Sequence, residues 1–229
     1  MGGGGIKSQG VQSVMLGGVP SWLVDSSPHG QTLTSYGTVA NVASPSGAAF
    51  GQAVQVGAGG YLVGPHGATN AQGAITGSGF SCEFILTNSV AIGGVYASRV
   101  DTGNTYGYQW IIESNGVGSI AVHVVAADGS LNNPLSFGGY SFASPGAPIQ
   151  LSWDGSTIYL FYEGTLITST SMTSVWAPTS GGYLTIGCNG VTMDEFCISS
   201  IARNTANYTT ATAEWGSDAN TGCLYHFDS

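Results

Sequence analysis

The chain has 229 residues, of which 42% are hydrophobic and only 7% charged, with 37 glycines and a formal net charge of −9. So little charge with so much glycine excludes an ordinary helical protein, and the clustering of the apolar residues excludes a disordered one. Lys7, Arg99 and Arg203 are the only lysine and arginine residues, which argues against binding of nucleic-acid phosphates or an anionic membrane surface. A surface so poor in charge either lies partly against other proteins or is the Ser/Thr/Asn surface of a monomer.

Residues 1–20 read as a Gly-rich N-terminal arm. Such a segment is expected to be disordered alone. Its apolar positions Val11, Val14, Met15, Leu16 and Val19 could add an edge strand to a neighbour by main-chain pairing. The arm starts with four glycines after Met1 rather than a charged residue and an apolar run, so a secretory leader is not expected and a cytosolic origin is. In that compartment Cys82, Cys188, Cys197 and Cys223 are expected to be free thiols buried as small apolar residues. Their spacing includes no zinc pattern.

From Ser21 onward the pattern is one of short strands and tight turns. Strands are predicted over 38–43, 50–56, 60–63, 80–87, 93–100, 106–113 and 119–127. Asp101-Thr-Gly-Asn104 and Asn115-Gly116 serve as turns. Residues 148–171 form the clearest meander. Leu151 and Trp153 alternate with polar residues, Asp154-Gly155-Ser156 turns the chain, Ile158, Leu160 and Tyr162 return, and Glu163-Gly164 turns it again. Strands over 183–188, 193–199 and 223–228 complete the set. With no sustained helical period, the pattern predicts an all-β, two-sheet antiparallel sandwich over residues 21–229.

The last fifty residues are the most distinctive. Met193-Asp-Glu-Phe-Cys-Ile-Ser-Ser-Ile-Ala-Arg203, then Asn204-Thr-Ala-Asn-Tyr208, then Cys223-Leu-Tyr-His-Phe-Asp228 resembles the closing strands of laminin-G-like domains in the concanavalin A-like lectin and glucanase superfamily. Asp25-Ser-Ser-Pro-His-Gly30, Phe50-Gly-Gln-Ala53, Gly60-Tyr-Leu62, Phe80-Ser-Cys-Glu-Phe84 and the paired-turn meander resemble further pieces of these domains in the same order. The resemblance implies a jelly-roll sandwich whose first and last strands are adjacent. It is nearest to domains of bacteriophage structural proteins. It also implies a possible structural calcium where the chain ends meet, at Asp25 and Asp228. The competing reading of these two is an Asx-turn and a solvated terminal residue.

Three functions follow as expectations. The first is a non-enzymatic virion subunit of a bacteriophage, a head decoration, fibre or tail appendage. Such a subunit would be made in the host cytoplasm and assembled with other virion proteins or with copies of itself. The second is a carbohydrate-binding module, engaging host-surface glycans through Asn104, Tyr106, Tyr108 and Trp110, which combine aromatic faces with an amide. Alternation places the three aromatics on one face, and in a sandwich such a stripe is more often core than ligand platform. The third is a glycan-cleaving enzyme, which the sequence disfavours. Glucanases of the superfamily carry Glu-x-Asp-x-x-Glu on one strand, and that run is absent here. Glu83, Glu113, Glu163 and Glu195 each lack a second acid at i+2 or i+4, Glu214 has only Asp218 at i+4, and Asp194-Glu195 should point to opposite faces of a strand. No catalytic residues and no cofactor are expected.

Overall fold

A computed structural model of the chain describes residues 19–88, 93–116, 118–139, 146–187 and 190–228. Among the described residues fifteen strands form two antiparallel sheets with three short 3-10 turns between them. One sheet joins β1 (Thr34–Tyr36), β4 (Tyr61–His66), β13 (Tyr183–Ile186), β6 (Val95–Val100), β7 (Tyr108–Ser114), β8 (Ile120–Val125) and β9 (Leu131–Phe137), in that order across the sheet. The other joins β12 (Thr165–Ser171), β11 (Thr157–Tyr162), β10 (Ala147–Trp153), β5 (Phe80–Leu86), β14 (Thr192–Ser199), β3 (Gln52–Val56) and β2 (Val39–Ala43). Its eighth strand, β15 (Thr221–Tyr225), pairs with β14. The chain is a two-sheet jelly-roll sandwich. The residues before β1 lie against the last strand: Ser26 donates its amide to the Leu224 carbonyl at 2.7 Å.

Alternation explains the core. Phe80, Cys82, Phe84 and Leu86 of β5, Ile149, Leu151 and Trp153 of β10, and Phe196 and Ile198 of β14 all face inward. They meet Leu62, Tyr96, Trp110, Ile112, Val122 and Leu184 from the opposite sheet. Two turns of the meander show why their residues are there. Asp154 accepts from the Ser156 and Thr157 amides at 2.9 and 2.8 Å, closing an Asx-turn. Glu163 and Gly164 take φ of 48° and 75°, the left-handed pair that a two-residue hairpin needs.

The predicted strands lie close to the observed ones, with three differences. β1 and β9 have no counterpart among the predicted strands: β1 has only three residues, and Pro134 breaks the sequence pattern expected of a strand over 131–137. Tyr106 lies in the turn before β7. Asn115-Gly116 opens a wider connection, closed by hydrogen bonds between Asn115 and Ser119 and between Ser119 and Gly116. Cys82, Cys197 and Cys223 are buried free thiols, and burial pushes all three up in pKa. Cys188 lies outside the described residues, as do Val11, Val14, Met15 and Leu16 of the arm. Val19 is described and is 56% exposed.

Candidate functional site

The two outer faces of the sandwich differ. The outer face of the eight-stranded sheet is covered by the connection from β14 to β15, residues 200–220, which has no regular secondary structure yet is tied down along its length. Ser81 on β5 donates to the Ile201 carbonyl at 2.9 Å and accepts the Arg203 amide at 2.8 Å. Arg203 reaches Ser199 with Nε at 2.8 Å and forms a two-pronged ion pair with Asp218 at 2.6 and 2.7 Å. Asn204 donates to Gln150, which in turn donates to Glu83. The Asn207 side chain accepts the Leu166 amide, and the Tyr208 ring packs edge-on against Phe161 with centroids 5.4 Å apart. The distinctive Ile-Ala-Arg-Asn…Asn-Tyr run is therefore a strap, anchored to the sheet through Arg203, Asn204, Asn207 and Tyr208. Burial under the strap raises the pKa of Glu83, which the bond from Gln150 opposes.

The strap ends in an acidic cluster. The pairing register slips between Asp194 and Cys197, and Glu195 adopts a left-handed φ of 51°. This bulge corrects the expectation that Asp194 and Glu195 point to opposite faces, because a bulge interrupts alternation. Asp194 accepts Ser44 Oγ at 2.5 Å and the Glu195 amide at 2.9 Å. Glu195 accepts the Trp215 amide at 2.7 Å and meets His226 Nδ1 at 2.8 Å. Burial pushes Asp194 up to about 7, its bond from Ser44 opposes this, and the Glu195 and Asp228 carboxylates add to it. The hydrogen bond to Glu195 raises His226. Both carboxylates are fully buried and committed to protein donors. They fix the end of the strap and present nothing to a substrate.

The candidate calcium ligands Asp25 and Asp228 accept hydrogen bonds from protein donors. Asp25 is buried and accepts the amides of Ser27, Gln31 and Leu224 and the Ser27 hydroxyl. It is the Asx-turn that locks the chain start to β15. Asp228 is not a solvated terminal residue: it accepts the Gln52 amide at 2.5 Å and shares a hydrogen bond with Glu214 that raises the Glu214 pKa. Among the described residues no three His, Cys, Asp or Glu side chains are grouped to hold a metal ion.

The outer face of the seven-stranded sheet carries a groove instead. It spans β4, β13, β6 and β7, has a volume of about 430 Å³, and is walled by Tyr61, Val95, Val100, Tyr108 and Ile111. Ser98 and Thr185 lie on its floor with their hydroxyls 2.6 Å apart. Gly59, Gly60, Gly107 and Gly187 leave backbone bare along its rim. Tyr61 stacks on Tyr36 outside the groove, ring centroids 5.0 Å apart and planes 10° from parallel. Tyr106 stands beside Tyr108 at 6.2 Å and is 42% exposed.

A second bulge creates this arrangement. Arg99 pairs with Trp110 and Val100 pairs with Tyr108, so Gln109 has no partner in the ladder. Its amide instead binds Ile75 N–H and C=O at 2.7 and 3.0 Å and the Trp176 carbonyl at 2.7 Å. The extra residue reverses the alternation. Tyr108 turns to the groove, while Trp110 enters the core, fully buried, with its indole N–H donated to the Gly73 carbonyl at 2.7 Å. This corrects the expectation that Tyr106, Tyr108 and Trp110 share one face. Asn104 is a turn residue: its amide donates to the Tyr108 carbonyl and accepts the Tyr106 and Gly107 amides. Of the four sequence candidates, Tyr108 lines the groove, Tyr106 flanks it, and Asn104 and Trp110 support it from behind. Tyr36, Tyr61, Ser98, Ile111 and Thr185 were missed. The pattern Tyr61-Leu62-Val63, with only Leu62 inward, signals an outward Tyr61, but nothing local shows that β7 lies two strands beyond β4's neighbour.

No family model matches the sequence, and no curated protein matches it. Solved structures do share the fold. The binding domain of botulinum neurotoxin DC in complex with SialylT superposes with a TM-score of 0.60 at 14% identity, over 79% of this chain and 46% of that one. The binding domain of botulinum neurotoxin serotype C1 gives 0.61 at 12% identity over the same shares. That of Paraclostridial Mosquitocidal Protein 1 gives 0.60 at 13%, over 81% and 48%. The chain thus spans about half the length of the solved chains it matches, and at these identities the likeness concerns the fold.

Proposed function

We propose that this chain is a non-enzymatic recognition domain on a lectin-like sandwich, and that its groove binds carbohydrate. The observation that carries this is the pairing of Tyr61 and Tyr108 walls with the Ser98–Thr185 hydroxyl floor. Aromatic faces stack on the C–H faces of sugar rings, and a few hydroxyls and bare backbone groups orient the sugar's own hydroxyls. The groove's volume lies within the range of ordinary ligand sites. Structural neighbours give support: one is a toxin binding domain in complex with SialylT, and another is a type C neurotoxin described as depending on two ganglioside molecules to enter cells. Among the described residues no acidic side chain lines the groove, whereas glycoside hydrolysis needs two carboxylates flanking the bond. Calorimetric titration of the chain against a panel of oligosaccharides tests the reading. Tyr108→Ala should weaken binding by roughly tenfold while leaving the circular dichroism unchanged. Binding that survives this change moves the site elsewhere.

A second reading, compatible with the first, makes the chain a bacteriophage virion subunit, in a head decoration, fibre or tail appendage beside other virion proteins or its own copies. It rests on the resemblance of the closing run to phage laminin-G-like domains, a run that is here the strap anchored through Arg203, Asn204 and Asn207. An antibody to the chain should label purified virions of a phage that encodes it, and unlabelled virions refute this placement.

A further inference from the structure

We infer that the groove selects uncharged oligosaccharides and turns away sialylated, uronate and sulfated ones. The inference rests on the carbohydrate reading above and adds the class of sugar. Two observations carry it: the positions of the chain's cations, and the spacing of the two tyrosine walls.

An acidic sugar in a groove needs a cation to offset the desolvation of its carboxylate or sulfate. Among the described residues the groove has none. Its lining residues are glycine, tyrosine, valine, isoleucine, serine and threonine. Among the described residues the only lysine or arginine side chains are Arg99 and Arg203, and both are spent. Arg99 is completely buried, and its guanidinium donates to the carbonyls of Val100, Thr179 and Gly67. Gly182 packs directly on that guanidinium, which closes its approach to the sheet surface. Arg203 lies on the strap across the eight-stranded sheet, paired with Asp218. The carboxylate beside the groove wall is of the wrong sign for an acidic ligand. Glu113 follows Ile111 at i+2 on β7, meets His123 of β8 at 3.2 Å, and contributes to the raised pKa of Tyr108 after burial. The net charge of −9 adds a long-range field of the same sign.

The walls indicate a chain of sugars over a single ring. Tyr61 on β4 and Tyr108 on β7 are separated by β13 and β6. The register puts Tyr108 level with Val100, Tyr183 and His66, so three inter-strand spacings and an offset of several residues along the strands separate their backbones by roughly 20 Å. One pyranose cannot stack on both. A short oligosaccharide laid diagonally over the strands can stack at each end and hydrogen-bond the Ser98–Thr185 pair, whose register level falls between the two tyrosines.

The test uses the full chain and matched ligands: an uncharged N-acetyllactosamine oligosaccharide with its sialylated counterpart, and an uncharged glucan oligosaccharide with its uronate counterpart. The uncharged member of at least one pair should bind, its acidic counterpart should bind roughly tenfold or more weakly, and Tyr61→Ala and Tyr108→Ala should each weaken the uncharged ligand. Val95→Lys puts a cation on the groove wall and should narrow the gap within the pair, an effect that misfolding cannot mimic. Acidic counterparts that bind as well as uncharged ones, with both losing affinity in Tyr108→Ala, would overturn the selectivity while leaving the groove as the sugar site. No binding by either pair, or binding indifferent to both tyrosine changes, overturns the groove reading and this inference together.

Discussion

At the residue scale, two bulges decide where chemistry ends up. Gln109 moves Tyr108 outward and Trp110 inward, and Glu195 brings two carboxylates under one strap. Both lie in runs where period-2 reading is otherwise sound, so the sequence shows the aromatic and acidic residues but not their facing. An inserted residue has no local mark when tertiary bonds, here from Gln109 to Ile75 and Trp176, decide it. The acidic cluster has a consequence for pH. Asp194 titrates at about 7 when folded against 3.8 ordinarily, so between these values the folded chain holds a proton that the unfolded chain has released. Stability therefore falls as pH rises through that window, by up to roughly 4 kcal/mol. His226, raised by Glu195, acts in the same sense: its contribution is present below 6.5 and is lost as pH rises through its folded value. Asp154, held at about 2 by the Tyr159 and Ser156 bonds despite partial desolvation, works the other way and loses its contribution as pH falls below its ordinary 3.8. The melting temperature should peak near pH 4, at about the ordinary Asp value where the two opposed windows meet, and decline toward pH 8. Asp194→Asn should flatten that decline. A melting temperature that rises steadily from pH 5 to 8 contradicts the arrangement.

At the element scale, β14 does the most work. It pairs with β5 along one side and with β3 and then β15 along the other, and its next residues become the strap. Phe196 stacks on Phe84 with centroids 6.2 Å apart, and Ile198 sits in register between Cys82 and Cys223. Phe196→Ala or Ile198→Ala should cost about 2–5 kcal/mol in denaturant unfolding, since each leaves a cavity at the centre of a sheet. The strap itself is held by polar anchors over a solvated surface. Arg203→Ala removes the Ser199 and Asp218 bonds and should cost only about 1 kcal/mol, because Asp218 is nearly half exposed. Its clearer effect should be local, as faster amide exchange over residues 201–220 with the core strands still protected. Uniform exchange across strap and core would mean that the two unfold as one unit.

At the scale of the whole molecule, the sandwich was legible because alternation, turn residues and order of motifs all agreed. The groove was not, because it draws on strands far apart in sequence: β4, β6, β7 and β13 meet only through the jelly-roll order. The strap was legible as a motif but not as a structure, since nothing in Arg203-Asn204 or Asn207-Tyr208 names Ser81, Gln150 or Phe161 as their partners. The remaining question is how the sandwich is attached to anything else. Its first anchored residues are at Ser21–Leu23 and Asp25, whose carboxylate clamps Ser27 and Leu224. The sandwich should therefore fold without residues 1–18. Ordering a Gly-rich arm costs roughly 1–2 kcal/mol per residue, and Val11, Val14, Met15 and Leu16 offer few side chains to offset that within one domain. We expect the arm to be ordered by a partner or sister subunit that accepts it as an added strand. Deleting residues 1–18 should leave the melting temperature and sugar binding unchanged, while self-association, measured by sedimentation, or incorporation into particles is lost. A truncated chain that associates as fully as the intact one would place the contact on the sandwich itself, where the exposed Tyr36 beside Tyr61 would be the first position to substitute.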